Sequence, residues 1–220
     1  AAVVCLGLGL ILMALCFSLA RPLLTLLGTK DELIDGAILY LRIYAFGLPA
    51  MALYNFGSAV LTATGDTKRP LLFLSIAGGL NICLNLFFVI VCHMSVDGVA
   101  TATVISQYIS LFLVVRCLRR SEGLSHLELK EIRLDKEESI RMIQIGFPAG
   151  LQSMLFSISN VLVQSSVNSF GASVVAANTA ASNIEGFIYT AMNSVFHAAI
   201  TFTSQNLGAG KLSRTKRVYG

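Results

Sequence analysis

The stretch from residue 116 to 141, RCLRRSEGLSHLELKEIRLDKEESIR, constrains the fold more than any other feature of the chain. It holds seven of the sixteen Lys and Arg residues and six of the twelve Asp and Glu, and nearly continuous apolar sequence flanks it on both sides. One charge at the centre of a bilayer costs about 2.5–3.5 kcal/mol even on the lenient insertion scale. The island is therefore an aqueous loop, and its basic residues beside helix ends assign it to the cytoplasmic side. Four apolar spans precede it and two follow.

Only 13% of the 220 residues are charged and 55% are hydrophobic, against about 25% charged in soluble domains. With apolar runs long enough to cross a bilayer, this composition implies an integral membrane protein. The net charge of +4 does not point to nucleic acid, because the basic residues sit in short loops beside the spans. Cys5, Cys16, Cys83, Cys92 and Cys117 form no CxxC pair and read as small buried hydrophobes. With no initiator Met and no basic start to residues 1–20, the sequence reads as a fragment rather than as a chain with a signal peptide.

The spans follow in order. Residues 1–20 form the first, ended in its apolar core by Arg21 and Pro22; Thr29 or Asp31 is a candidate cap for the next helix. Residues 34–62 form the second, with Arg42 two turns in and able to reach toward Asp35, and with Pro49 expected to kink it. Gly65 and Asp66 make a tight turn, and Pro70 suits the start of the third span, residues 70–92. The fourth span covers residues 99–118. The fifth, 140–170, is expected to break at Gly146, Phe147 and Pro148; the sixth is 174–207. With the island inside, alternation places thirteen of the sixteen basic residues inside and leaves Arg21, Lys30 and Arg42 outside. A shift of one span would destroy that asymmetry.

Several polar residues lie within these spans. Asn81 and Asn85 are four apart and share a helix face, and Thr103 begins the adjacent span. Their oxygens suit a Na⁺ ion or a proton network, and equally suit hydrogen bonding between helices. Glu185 is the only carboxylate deep in the last two spans, so it is either a coupling or substrate-pairing group or an interfacial side chain reaching water. His197 has a proton-coupling and a structural reading. Gln152, Asn160, Gln164 and Asn168 form a stripe on the fifth span, with Ser157 and Asn193 as possible neighbours. In lipid such a stripe faces protein or a water-filled cavity. Gly7, Gly9, Gly57, Gly78 and Gly79 read as close-packing sites. Residues 124–132 are a candidate amphipathic surface helix or a solvated linker.

The segment YLRIYAFGLPAMALYNFGSAVLTATGDTKRPL, then LNICLNLFFVIVCHMSVDGVATATVISQ, then IGFPAGLQSMLFSISN and TSQNLGAGK, resembles the multidrug and toxic compound extrusion (MATE) family over essentially the whole chain. The resemblance implies an all-α integral membrane protein with six transmembrane helices of an expected twelve-helix, two-lobed transporter. Residues 1–118 would be the last four helices of the amino lobe, 119–139 the cytoplasmic inter-lobe loop, and 140–220 the first two helices of the carboxyl lobe. It implies a multi-pass protein of the inner cell membrane, working as a monomer, that exports organic and often cationic compounds in exchange for Na⁺ or H⁺ and needs no cofactor. Asn81, Asn85 and Thr103 would match the amino-lobe cation and proton site of one prokaryotic branch, with Asn85 standing where the family often has Asp. A Glu found on the seventh helix of another branch has no counterpart at Leu155, Phe156 or Ser157. The alternative is a flippase for lipid or polyisoprenoid-linked sugar. Its phosphate would need clustered Arg or Lys, which the span interiors lack. A non-transporting assembly factor fits the polar stripe poorly, and no nucleophile triad, metal cluster or nucleotide loop supports an enzyme.

Overall fold

The computed structural model describes residues 1–26, 31–121, 134–168, 170–211 and 213–214, and all regular structure among them is helical. The chain divides into two compact units, 1–139 and 140–220. In the first, α1 is Ala2–Leu26, α2 Asp31–Ala45, α3 Leu48–Ala63, α4 Lys68–Leu86 and α5 Val96–Arg120. α6, Lys136–Asn168, begins at the edge of the first unit and runs through the second, followed by α7, Ala172–Gly208. The suggested cap Thr29, the segment 124–132 and the side chains of Asp31 and Asn168 lie outside the described residues.

Four helices are long and apolar enough to cross a membrane, and the bent pair α2–α3 makes a fifth such pass. α7 spans 37 residues, long enough to cross, but its Asn, Ser and Thr residues dilute its hydropathy and it is not among these five.

The first unit is organised on α5, which packs against α2, α3 and α4, while α1 packs on α2 and α3. Small residues make these approaches possible. Ala20, Ala45, Ala50, Ala100 and Ala102 are buried. A Cβ on Gly9 would lie 2.7 Å from the Pro49 Cα, and one on Gly57 2.8 Å from a Val114 methyl. Gly7, Gly78 and Gly79, expected to pack in the same way, have open space instead. Larger side chains gather toward the end of α5, where Tyr54, Leu61, Val114 and Leu118 form one cluster.

The α3–α4 connection is fully specified by its sequence. Gly65 takes φ +93, which only glycine adopts readily. The Asp66 carboxylate accepts from the Arg69 backbone N–H at 3.2 Å and pairs with the Arg69 side chain. α4 starts at Lys68, two residues before Pro70, which still sits in the first turn where its missing N–H costs nothing. The Tyr54 hydroxyl, buried, donates to the Pro70 carbonyl at 3.0 Å and ties α3 to α4.

Three local expectations are corrected, and one feature was not anticipated. Arg42 is exposed and makes no ion pair with Asp35. Seven residues separate them, about 10 Å along the axis, too far for a contact. Pro22 and Pro148 lie inside continuous helices, so α6 does not break at Gly146–Pro148. One proline removes one backbone hydrogen bond, and the flanking turns carry the helix across the gap. The cysteines are free and none is buried; Cys83 and Cys92 are exposed because α4 is covered mainly along its α5 side. Finally, α4 does not end as a plain α-helix: Phe87–Val91 form a π-helical turn just after Asn85, closed by His93 at φ +53.

Candidate functional site

Asn81 and Asn85 sit one turn apart on α4 and face α5. The Asn85 amide donates to the Asn81 Oδ1 at 3.0 Å. The Asn81 amide in turn donates to the Thr103 Oγ1 of α5, at a longer 3.4 Å. The Thr103 hydroxyl donates to the Val99 carbonyl of its own helix at 3.0 Å. That leaves the hydroxyl lone pairs turned toward Asn81, so the three side chains form one directed chain across two helices. The three residues predicted to act together do meet.

The chain does not close on itself. The Asn85 Oδ1 is buried and accepts no hydrogen bond among the described residues. A buried acceptor left in this way costs about 1–3 kcal/mol, which a cation or a proton donor at the oxygen would recover. The donor set is a carbonyl-type oxygen and a hydroxyl, hard and neutral, which suits a small monovalent ion or a relayed proton rather than a thiophilic metal.

A second such atom was not anticipated as part of the site. The Gln107 Oε1, one turn beyond Thr103 on α5, is also buried with no partner among the described residues. The Gln107 side chain presses on Gly47, where a Cβ would collide with its amide group. The next residue, Tyr108, donates its hydroxyl to the Phe46 carbonyl at 3.1 Å. These contacts clamp the point where α2 gives way to α3 with a bend of 42°. Pro49 was expected to kink this span, and the break lies at Phe46 and Gly47, just upstream. The displacement is physical: proline withholds its hydrogen bond from the carbonyl four residues earlier, that of Ala45, and its ring crowds the same place. The spacing of Thr103 and Gln107 by four was the available signal that Gln107 shares a face with the site.

In the second unit the candidates lie on the surface of their helices. Gln152, Asn160 and Gln164 of α6 and Glu185 and His197 of α7 are exposed. The Ser157 hydroxyl is satisfied by the Ser153 carbonyl of its own helix, and His197 makes an edge contact with its neighbour Phe196. Pro148 occupies the first half of α6.

Long apolar helices, packed through small residues and with amides and hydroxyls held at mid-helix, define a multi-pass membrane protein. The sequence pattern of the MatE family matches residues 1–87 and 148–220, and the chain belongs to that family. It is 34% identical over 203 residues to the probable multidrug resistance protein YpnP of Bacillus subtilis, covering 90% of this chain and 44% of that protein. It is 24% identical over 201 residues to the FAD transporter of Shewanella oneidensis, covering 90% of this chain and 44% of that one. A crystal structure of MATE in the bent conformation superimposes with a TM-score of 0.84 at 23% identity, over 99% of this chain and 49% of the other. A MOP superfamily transporter from Pyrococcus furiosus superimposes with a TM-score of 0.83 at 24% identity, over 99% and 49%. The chain thus spans less than half the length of these proteins. The relatives named here are drug-resistance and transport proteins rather than enzymes.

Proposed function

We propose that this chain supplies part of a secondary antiporter that exports organic, often cationic, compounds in exchange for Na⁺ or H⁺. Asn81, Asn85 and Thr103 hold or relay the coupling ion. The observation that carries the proposal is the amide–amide–hydroxyl chain across α4 and α5, ending in the unpaired Asn85 Oδ1. Interhelical hydrogen bonding alone would favour a chain whose ends are all satisfied.

Amides do not ionise, so H⁺ coupling draws on a carboxylate. Glu185 is the one that α7 carries, and a membrane carboxylate is costly unless used. The stripe of Gln152, Asn160 and Gln164 on α6 lines the aqueous path of the substrate, because amides exposed on a membrane helix have to meet water or protein. Membership in a family that includes probable drug-resistance proteins supports export of xenobiotics. The FAD transporter relative adds flat aromatic dinucleotides to the compounds worth testing.

The test uses inside-out vesicles carrying the protein at its full natural length. Uptake of a fluorescent cationic dye is followed under an imposed Na⁺ gradient and then a pH gradient, with Asn85→Ala and Glu185→Gln alongside. Gradient-driven uptake that either substitution abolishes supports the antiporter and identifies the coupling residue. Absence of uptake under both gradients overturns drug antiport for that dye.

A further inference from the structure

The last two turns of α5 carry a feature that the ion site does not use. A cavity of about 500 Å³ is lined by Phe112, Val115, Arg116, Arg119 and Arg120. On a 100° helical wheel these five fall on one side of α5, opposite Val114 and Leu118, which are buried in the core of the first unit. The three arginines are exposed, and none forms an ion pair with a described residue. Arg69, on the neighbouring helix, is already committed to Asp66 and to the Cys117 sulfur.

Part of this charge has an ordinary explanation. The carboxyl end of a helix carries about half a negative charge and favours basic side chains. Three guanidinium groups exceed that severalfold, and no carboxylate among the described residues pairs with any of them. One turn earlier the same face becomes apolar, with Phe112 61% exposed. A face that is basic for one turn and apolar for the turn before it, at the end of a membrane helix that the charge asymmetry places on the cytoplasmic side, has the layout of a lipid: phosphate outermost, acyl chain inward.

We infer that this groove binds an anionic phospholipid, its phosphate held by Arg116, Arg119 and Arg120 and one acyl chain lying along Phe112 and Val115. Guanidinium groups bind phosphate bidentately and keep their charge at all physiological pH values, and basic pockets on the cytoplasmic side of membrane helices suit anionic headgroups. Free phosphate would use the arginines but not the apolar floor.

The experiment has two readouts. Native mass spectrometry of the protein at its full natural length, released from vesicles of equal phosphatidylglycerol and phosphatidylcholine, reports retained lipid without any mutation. Preferential retention of phosphatidylglycerol is expected, and equal retention overturns the proposal. Thermal unfolding in detergent, read by far-UV circular dichroism because all regular structure among the described residues is helical, then compares phosphatidylglycerol, phosphatidylcholine of matching chains and inorganic phosphate. Phosphatidylglycerol should raise Tm by several degrees and the other two by little. The triple variant Arg116→Gln, Arg119→Gln, Arg120→Gln should unfold at the wild-type Tm in phosphatidylcholine and bind phosphatidylglycerol about 100-fold more weakly, at about fivefold per basic residue. An unchanged lipid response in that variant, or a full response to inorganic phosphate alone, rules the lipid site out.

Discussion

The Tyr108 hydroxyl of α5 donates to the Phe46 carbonyl at the break between α2 and α3, 3.1 Å away. Pro49 leaves the Ala45 carbonyl without its helical donor, and α5 anchors the neighbouring carbonyl, that of Phe46, from outside. Gln107, beside it in sequence, fills the space that Gly47 leaves open. A kink with one cause in its own helix, Pro49, is thus held in shape by two side chains of another, four and five residues beyond Thr103. The helix that carries Thr103 and the bent span are therefore packed as one assembly.

Tyr108→Phe removes only that hydroxyl. Hydrogen bonds between membrane helices average about 0.6 kcal/mol, reaching about 1.7, so unfolding in detergent should shift by an amount in that range. Gly47 has φ −77, open to any residue, so what forbids a side chain there is chiefly Gln107, with the Tyr44 carbonyl oxygen a second close contact at 3.2 Å. Gly47→Leu should cost about 1–3 kcal/mol by overpacking, and Gln107→Ala should recover part of it in a double-mutant cycle. Strict additivity of the two would show that they do not press on each other.

Gly9→Ala and Gly78→Ala separate packing from helix propensity. At Gly9 the new methyl meets the Pro49 backbone at 2.7 Å, which has no rotamer with which to yield. A loss of about 1–3 kcal/mol is expected. At Gly78 nothing lies within 4 Å, and the change should be neutral or stabilise by up to about 1 kcal/mol. Thermal melts of the two variants side by side decide it; equal destabilisation would contradict the packing of α1 on α3.

What the sequence could reveal follows from what periodicity encodes. Asn81 and Asn85 stand out because a spacing of four puts two amides on one face of an apolar helix. The resemblance then brought Thr103 to them. Gln107 has the same spacing from Thr103, but its importance depends on Gly47, sixty residues earlier, and such a contact has no local signature. The π-helical turn at Phe87–Val91 was equally hidden, since an aromatic and β-branched run reads as ordinary span. Pro49 and Pro148 look alike in sequence, yet one helix separates near its proline and the other runs through. Tertiary partners, not the residue itself, decide between a break and a tolerated gap.

Asp66→Asn and Asp66→Ala test what the α3–α4 turn needs. The carboxylate both accepts from the Arg69 N–H and pairs with an Arg69 side chain that is 56% exposed. An exposed pair contributes little, whereas a lost cap costs about 1 kcal/mol. The Asn variant keeps an acceptor and should lose less than about 0.5 kcal/mol; the Ala variant should lose about 1. Denaturant or thermal unfolding at low and high salt measures both, and a strong salt dependence would shift the credit to the ion pair.

Asn85→Leu separates ion handling from packing. It deletes a buried acceptor that costs about 1–3 kcal/mol and also the hydrogen bond to Asn81, worth about 1. The two largely offset, so stability should change by no more than about 1 kcal/mol while gradient-driven dye uptake is lost. Loss of fold together with loss of uptake would make Asn85 a structural residue instead.

The stripe on α6 can be read by thiol chemistry. Gln152, Asn160 and Gln164 lie on one side of the helix, and Ile158 and Leu162 on the other; all are exposed in the chain itself. Exposure alone therefore does not distinguish water from lipid, but the polarity of the two sides does. In a background freed of native cysteines by replacement with serine or alanine, single cysteines at 152, 160 and 164 should react with a membrane-impermeant thiol reagent. Cysteines at 158 and 162 should not, because a thiolate does not form in hydrocarbon. Labelling of all five sites to the same extent would mean that α6 has no aqueous side, and the substrate path would then have to be sought on another helix.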